Sequence, residues 1–237
     1  MRLYNASMLL TKIFNFVVAT TAKYGIDESH GLSHSLNTLC YANHIFEREV
    51  VKSPFLKPQE RLIYISAAIH DMCDKKYMDE KTGIQNVGEY LSSSSTMSRP
   101  NKTPILRPYE VEAITKIIST MSYSTVKKNG FPKLYEFQTA YHIVRESDLL
   151  AAYDFDRSMI YHMHHRNATL EESYQNAREL FMTRVLKHNE DKLFFTDYGR
   201  EESVRLHNLA LQRMSHWNHI LSKNLCETPP TIPINPR

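Results

Sequence analysis

The chain has 237 residues, of which 42% are hydrophobic, and its formal net charge at pH 7 is +3. This length and apolar content are typical of one domain with a sizeable core. There are only six glycines, which argues against a sheet protein with many tight turns. The small net charge, spread over scattered Lys and Arg residues, gives no strong signal for nucleic-acid binding.

Apolar residues recur at steps of three and four along the chain, which predicts an all-α fold. The first such stripe is interrupted by Lys12 and Asn15, so we interpret it as a core helix and not as a signal or membrane segment. We expect helices near residues 6–23, 33–50, 58–71, 82–91, 108–121, 132–163, 169–188 and 197–224.

Two segments lack a helical pattern. Residues 92–108 combine serines and prolines with basic residues, which predicts a mobile surface loop or, alternatively, a lid that closes over phosphates. Residues 226–237 show no burial pattern and are predicted to be a disordered tail. We therefore assign residues 1–225 to a single helical domain.

The cysteines at Cys40, Cys73 and Cys226 form no CxxC pair. They indicate neither a disulfide framework nor a thiolate zinc site. This usage fits a reducing compartment, so we expect a cytoplasmic protein that has no membrane partner.

Residue types that bind metals fall on three of the predicted helices. His34, the adjacent pair His70 and Asp71, and Asp148 offer two imidazoles and two carboxylates, a set that suits divalent ions. Adjacent helical residues point about 100° apart, so His70 and Asp71 can share an ion only if it lies beside the edge between them. Asp71 and Asp148 both border apolar runs, where a shared cation would compensate two costly carboxylates.

Each of these residues also has an ordinary structural explanation. A single histidine is more often a hydrogen-bonded core or surface residue than a ligand. Asp71 and Asp74 could cap a helix or a turn, and Asp148 could pair with Arg145, one turn before it. The residue types alone therefore suggest a metal-dependent hydrolase without requiring one.

Three stretches of the sequence resemble the HD superfamily of metal-dependent phosphohydrolases. They are DESHGLSHSLNTL from Asp27, AAIHDMCDKKY from Ala67 and HIVRESDLLAAYD from His142, in the family's order of His, His-Asp and Asp. The resemblance implies an HD-domain helical bundle in about residues 27–156, followed by C-terminal helices in about residues 157–225.

In that family, these four positions bind a metal ion between helices, so the resemblance implies His34, His70, Asp71 and Asp148 as the ligands. His30 is the competing first histidine. We prefer His34 because HSLNTL stands where the family has its helix-starting ligand, whereas His30 belongs to the preceding SHG turn. His30 is then expected to contact the substrate or to brace the site.

The chain is most similar to a branch of small bacterial-type HD enzymes that cleave nucleoside triphosphates. The matching features are Asp74 with Lys76 and Tyr77 after the His-Asp pair, the stretch IISTMSYS from Ile117, and SHGLSH. This resemblance implies hydrolysis of nucleoside or deoxynucleoside triphosphates to monophosphate and pyrophosphate. It also implies one divalent ion, with Mn first and Fe, Ni, Co, Mg or Zn as alternatives.

The resemblance gives Asp74 the role of orienting or deprotonating water, and Lys76 the role of stabilising phosphate charge. Both residues could instead be turn or helix-end residues. For substrate binding we select Arg145, Ser122 and Lys127 beside His30. Arg145 ranks first of these because its guanidinium suits a phosphate and shares a helix face with Asp148, although it could simply pair with Asp148 or Glu146.

Two other functions remain open from the sequence. One keeps the metal site but acts on a nucleoside monophosphate, or on another phosphomonoester or phosphodiester, because the metal ligands do not choose the base. The other is an HD-fold module that binds a nucleotide without turnover. In each case the expected partner is a small-molecule nucleotide, and a homodimer is left open.

Overall fold

The computed structural model describes residues 2–93 and 106–223, and within these ranges it contains helices and no strand. The prediction of an all-α fold is therefore confirmed. Short 3₁₀ segments lie at Pro54–Gln59, Tyr135–Phe137 and Val185–Lys187. The α-helices are α1 (Arg2–Tyr24), α2 (Leu32–Lys52), α3 (Glu60–Ile69), α4 (Glu80–Ser92), α5 (Pro108–Thr120), α6 (Tyr123–Asn129), α7 (Gln138–Ala151), α8 (Phe155–Arg166), α9 (Leu170–Thr183) and α10 (Asp197–Leu221).

The single helix predicted over residues 132–163 is wrong, because two helices, α7 and α8, occupy this range. Asp154 separates them. Its backbone is extended, and its carboxylate accepts a hydrogen bond of 3.2 Å from the backbone N–H of Arg157. A side chain that caps a helix in this way favours a new start over continuation of the old helix.

The sequence pattern also missed α6, which lies between the helices predicted near residues 108–121 and 132–163. Ser122 caps it, since the hydroxyl oxygen accepts a hydrogen bond of 3.3 Å from the backbone N–H of Thr125. At its end, Gly130 takes a φ of +72°, a left-handed value that glycine adopts without strain. A helix of two turns between a capping serine and a glycine is too short to show a hydrophobic period.

The core is built around α7, which packs against α2 and α3. Many of the fully buried residues of these helices are small or β-branched. Replacing one of the buried isoleucines by alanine would cost about 2–5 kcal/mol of unfolding free energy. The residues with no exposed surface include Ala42 and Ile45 of α2, Ile63, Ile65 and Ala68 of α3, and Ile143 and Val144 of α7.

Polar contacts of α7 fix the segment that precedes α10. The fully buried Glu146 accepts hydrogen bonds of 2.7 Å from the backbone N–H of Phe195 and from the Thr196 hydroxyl. Arg145, which is 2% exposed, donates to the carbonyl oxygen of Leu193. Because a buried charge must be paired, these bonds hold residues 193–196 against the core helices.

Two of the sequence predictions lie wholly or mostly outside the described residues. They are the loop or lid at 92–108, of which residues 94–105 are not described, and the tail at 226–237. Among the helices that are described, none combines the length and the apolar character needed to cross a bilayer.

Candidate metal centre

Four side chains from three parts of the core converge on one point. The Nε2 atoms of His34 and His70 are 3.1 Å apart. Oδ2 of Asp71 lies 3.3 Å from each of these nitrogens. Oδ1 of Asp148 lies 3.3 Å from the first nitrogen and 3.5 Å from the second. These are the four residues that the HD resemblance implies as metal ligands.

These separations match the dimensions of a metal site. The ligand atoms of His34, His70 and Asp148 all lie within 4.8 Å of one another, close enough to contact one ion. Oδ2 of Asp71 has no hydrogen-bond partner among the described residues, although its surroundings are buried. His34, His70 and Asp148 could therefore hold a metal ion, and Oδ2 of Asp71 lies beside them, 3.3 Å from both histidine nitrogens.

The chain positions each of these side chains by its local backbone. His34 lies in the first turn of α2, and Asp148 lies in the last turn of α7. Helix α3 ends at Ile69, before the His-Asp pair, and the backbone N–H of Met72 then bonds to the Ile69 carbonyl at 2.9 Å. This tight turn after the helix brings the side chains of His70 and Asp71 to the same point.

Hydrogen bonding also determines which nitrogen of His70 faces the cluster. Its Nδ1 lies 2.9 Å from the carbonyl oxygen of Ala67, which can only accept. Nδ1 therefore carries a proton, and Nε2 is the nitrogen that faces His34 and the two carboxylates. A backbone carbonyl that orients a histidine in this way is typical of metal ligands.

The electrostatics of the cluster suit a cation. Burial, together with the nearby charge of Arg157, lowers the pKa of His34 to about 4. Burial would raise the pKa of Asp148, but hydrogen bonds from His34 and His70 lower it well below its ordinary value. For Asp71, burial is likewise outweighed by the charge of His70, which lowers the pKa. Both carboxylates are thus ionised at neutral pH beside a neutral His34.

The cluster lies in a cleft of about 530 Å³, a size that accommodates a small-molecule ligand. His34 is buried, whereas the side chains of Asp71 and Asp148 remain 15% and 26% exposed, so the cluster is open on the carboxylate side. Four of the residues selected from the sequence for catalysis or substrate binding line this cleft: His30, Asp74, Lys76 and Ser122.

At the rim, Lys76 contacts two of the other three residues, His30 and Asp74. Its Nζ lies 2.7 Å from Nε2 of His30 and 3.5 Å from Oδ2 of Asp74. The backbone N–H of Asp74 donates to the carbonyl oxygen of Asp71 at 3.1 Å, so the turn that presents the ligands also presents Asp74. Tyr77 completes this group, with its hydroxyl 3.1 Å from Nδ1 of His30.

Two of the residues selected for substrate binding lie elsewhere, and their positions correct the sequence interpretation. Arg145 is buried on the side of α7 that faces residues 193–196, and its guanidinium is 3.6 Å from the Glu146 carboxylate. Lys127 is exposed at the end of α6 and donates to the hydroxyl of Tyr123 at 3.2 Å. Neither residue lines the cleft that contains the metal ligands.

The sequence interpretation missed basic and aromatic residues that do line the cleft. They come from α8, α9 and the segment after α9, and they include Arg157, Tyr161, Arg166, Arg184 and His188. This part of the chain follows the last HD-like motif and has no recognisable spacing. Nothing in the sequence could have selected these residues from the other Arg and His residues of the same helices.

Comparisons with known proteins bear on the fold. No family model matches this chain, and no curated protein matches it. A crystal structure of a protein from Lactobacillus plantarum, determined as a structural genomics target, matches with a TM-score of 0.62 and 19% sequence identity. The match covers 89% of this chain and 97% of that chain. At this identity, the likeness shows a shared fold and nothing about activity.

Proposed function

We propose that this chain is a metal-dependent phosphohydrolase that cleaves nucleoside or deoxynucleoside triphosphates to monophosphate and pyrophosphate. The observation that supports it most directly is the convergence of His34, His70, Asp71 and Asp148 at separations of 3.1 to 3.5 Å. Basic residues around the same cleft add support, because a phosphorylated substrate needs positive charge near the reacting centre.

The donor set fits one divalent ion. Two imidazoles and two carboxylates suit Mn first, with Fe, Ni, Co, Mg or Zn as alternatives. When bound, such an ion supplies positive charge that acidifies water and neutralises the phosphate. The four ligands leave the cleft side open, where a substrate can approach the exposed edges of Asp71 and Asp148.

The chain's own residues then handle the proton and the phosphate charge. In the proposed reaction, water oxygen bonds to the α-phosphorus, and the bond from that phosphorus to the α–β bridging oxygen breaks. Asp74 accepts the proton of the attacking water, and Lys76, 3.5 Å from it, stabilises the charge of the departing pyrophosphate. His30 positions the ammonium group of Lys76 through the 2.7 Å contact at Nζ.

A nucleotide panel assayed with several divalent ions tests this proposal. Nucleoside mono-, di- and triphosphates are incubated with the full chain and each ion, and the products are resolved by chromatography. We expect pyrophosphate from triphosphates. Orthophosphate released from monophosphates would refute this cleavage and support the phosphomonoesterase alternative, whereas binding without any product would support a non-catalytic module.

A matched pair of histidine variants distinguishes this site from a contaminating activity. His70→Ala removes one ligand and is expected to abolish turnover. His216→Ala, an exposed residue of α10, is expected to leave turnover unchanged. Equal activity of the two variants would refute the assignment of the reaction to this cleft.

A further inference from the structure

The wall of the cleft contributed by the C-terminal half carries two arginines that are not neutralised. Arg157 lies in the first turn of α8, and Arg184 follows the end of α9. Arg157 donates one hydrogen bond of 3.0 Å, to the carbonyl oxygen of Ser29. Among the described residues, neither guanidinium lies within 4.0 Å of a carboxylate, although other arginines of the chain form such pairs.

These arginines line the same cleft as the candidate metal ligands His70, Asp71 and Asp148. Although Arg184 is exposed overall, its guanidinium lies in the cleft wall, 4.4 Å from the centre of the Tyr123 ring. Burial there lowers the pKa of Arg184, the charge of Asp148 raises it, and the charge of Arg157 lowers it again. Two like charges that face one cleft without a counterion favour binding of an anion.

His188 provides a separate observation that points to a ligand. It lines the same cleft and is only 1% exposed, yet neither ring nitrogen has a hydrogen-bond partner among the described residues. The rings of Tyr123 and Tyr153 pack against the His188 ring, with ring centres 5.6 and 5.8 Å from its centre. Burial lowers the pKa of His188 to about 4, so the ring is neutral and offers one donor and one acceptor. Unsatisfied polar atoms at such a position are costly unless a ligand completes them.

We propose that Arg157, Arg184 and His188 form an anion subsite for the phosphate groups of the substrate that are not attacked. The inference rests on the proposed function and narrows it, because the cleft would then select molecules with consecutive phosphates over monophosphates. One phosphate lies at the metal ligands, and the next phosphates lie against the arginines. Guanidinium groups suit this role because their planar donors bind phosphate oxygens in pairs.

Calorimetric titration tests the subsite without turnover. Inorganic tripolyphosphate and orthophosphate are titrated into the full chain without added metal. We expect tripolyphosphate to bind more tightly than orthophosphate, and Arg157→Gln and Arg184→Gln each to weaken tripolyphosphate binding at least about tenfold. Arg178→Gln is the matched control, because Arg178 is an exposed residue of α9 that does not line the cleft. Equal affinities for the two anions, or equal losses in Arg178→Gln and Arg184→Gln, would overturn the proposal.

Two further variants separate recognition from folding. Arg184→Lys keeps the charge but loses the paired donors, so its affinity for tripolyphosphate should lie between those of the wild type and Arg184→Gln. His188→Phe keeps the aromatic packing but removes both ring nitrogens, and it should also weaken binding. Circular dichroism spectra that match the wild type would exclude misfolding. Wild-type binding by both Arg184 variants would contradict the proposed subsite.

Hydrolysis measurements distinguish failure of the subsite from failure of the proposed function. With metal added, Arg184→Gln should raise KM for a nucleoside triphosphate, whereas the control Arg178→Gln should leave KM unchanged. A nucleoside triphosphate should also displace tripolyphosphate, and failure to compete would overturn the subsite. If the wild type hydrolyses nothing with any ion, the proposed function fails, and the titrations still decide whether the subsite exists.

Discussion

Replacing His188 by phenylalanine should remove part of the protein's sensitivity to acid. Burial lowers the pKa of His188 to about 4, against 6.5 for the unperturbed side chain. Above pH 6.5 the ring is neutral in both the folded and the unfolded chain. As the pH falls from 6.5 to 4, the unfolded chain binds a proton that the folded chain excludes, so the free energy of unfolding decreases.

The size of the effect follows from the gap between these two pKa values. Each unit corresponds to about 1.36 kcal/mol, so the wild type should lose on the order of 3 kcal/mol through this residue by pH 4. His188→Phe cannot bind that proton. It should equal or exceed the wild type in stability at pH 8, because it also removes two buried nitrogens that lack partners.

Urea unfolding followed by circular dichroism, at pH values between 8 and 4.5 and in a metal chelator, measures this difference. The stability advantage of His188→Phe should grow as the pH falls below 6.5. His216→Phe, at an exposed position, provides the control and should show a difference from the wild type that does not depend on pH. A His188→Phe curve parallel to that of the wild type would refute the reasoning.

Three other outcomes are expected. Manganese at 100 times its Kd should stabilise the wild type by about 2.7 kcal/mol, seen as a higher Tm, and Asp148→Asn should reduce this shift; an equal shift would argue against the ligand set. Asp74→Asn should lower kcat by about 10²-fold or more while metal content by elemental analysis stays constant; unchanged turnover would exclude Asp74 as the base. Glu146→Ala should cost at least about 3 kcal/mol in urea unfolding, because it leaves buried donors of Phe195 and Thr196 unpaired; a cost below about 1 kcal/mol would contradict this.

The candidate ligands could be found from the sequence because their positions depend on short local patterns. The order His, His-Asp and Asp names His34, His70, Asp71 and Asp148, and the structure brings these four together. The choice between the first two histidines also agrees with the geometry. His30 points its Nε2 at Lys76, 2.7 Å away, and not at the ligand cluster.

The error at Arg145 shows the limit of reading helix faces from spacing. Residues three positions apart on a helix differ in direction by about 60°, so Arg145 and Asp148 share a face only loosely. Asp148 lies on the side of α7 that faces the cleft, whereas Arg145 and Glu146 lie on the adjacent side, which contacts residues 193–196. Which side of α7 faces the cleft depends on where residues 193–196 pack, and the sequence of α7 alone does not indicate this.

The helix boundaries around α6 to α8 were missed for a related reason. The apolar period runs on through residues 152–154, so periodicity alone gives one long helix over 132–163. The break at Asp154 depends on one carboxylate that caps the backbone of Arg157. A capping side chain competes locally with the hydrogen bonds that would continue the helix. The spacing of apolar residues does not show which of the two hydrogen-bond patterns forms.

The two groups of cleft residues are held by different parts of the fold, and this affects how they can change. The candidate metal ligands lie on α2, on the turn directly after α3 and on α7, and the mutual packing of these helices forms the core, so the geometry of the ligands is tied to the stability of the whole chain. Arg157 belongs to α8, and Arg184 and His188 belong to the segment after α9; α8 and α9 pack mainly on each other. Substitutions on that wall can therefore change which phosphorylated molecule is bound without moving the four ligands. Because the two groups lie on different parts of the chain, a sequence motif marks the candidate metal ligands, whereas no motif marks Arg157, Arg184 and His188.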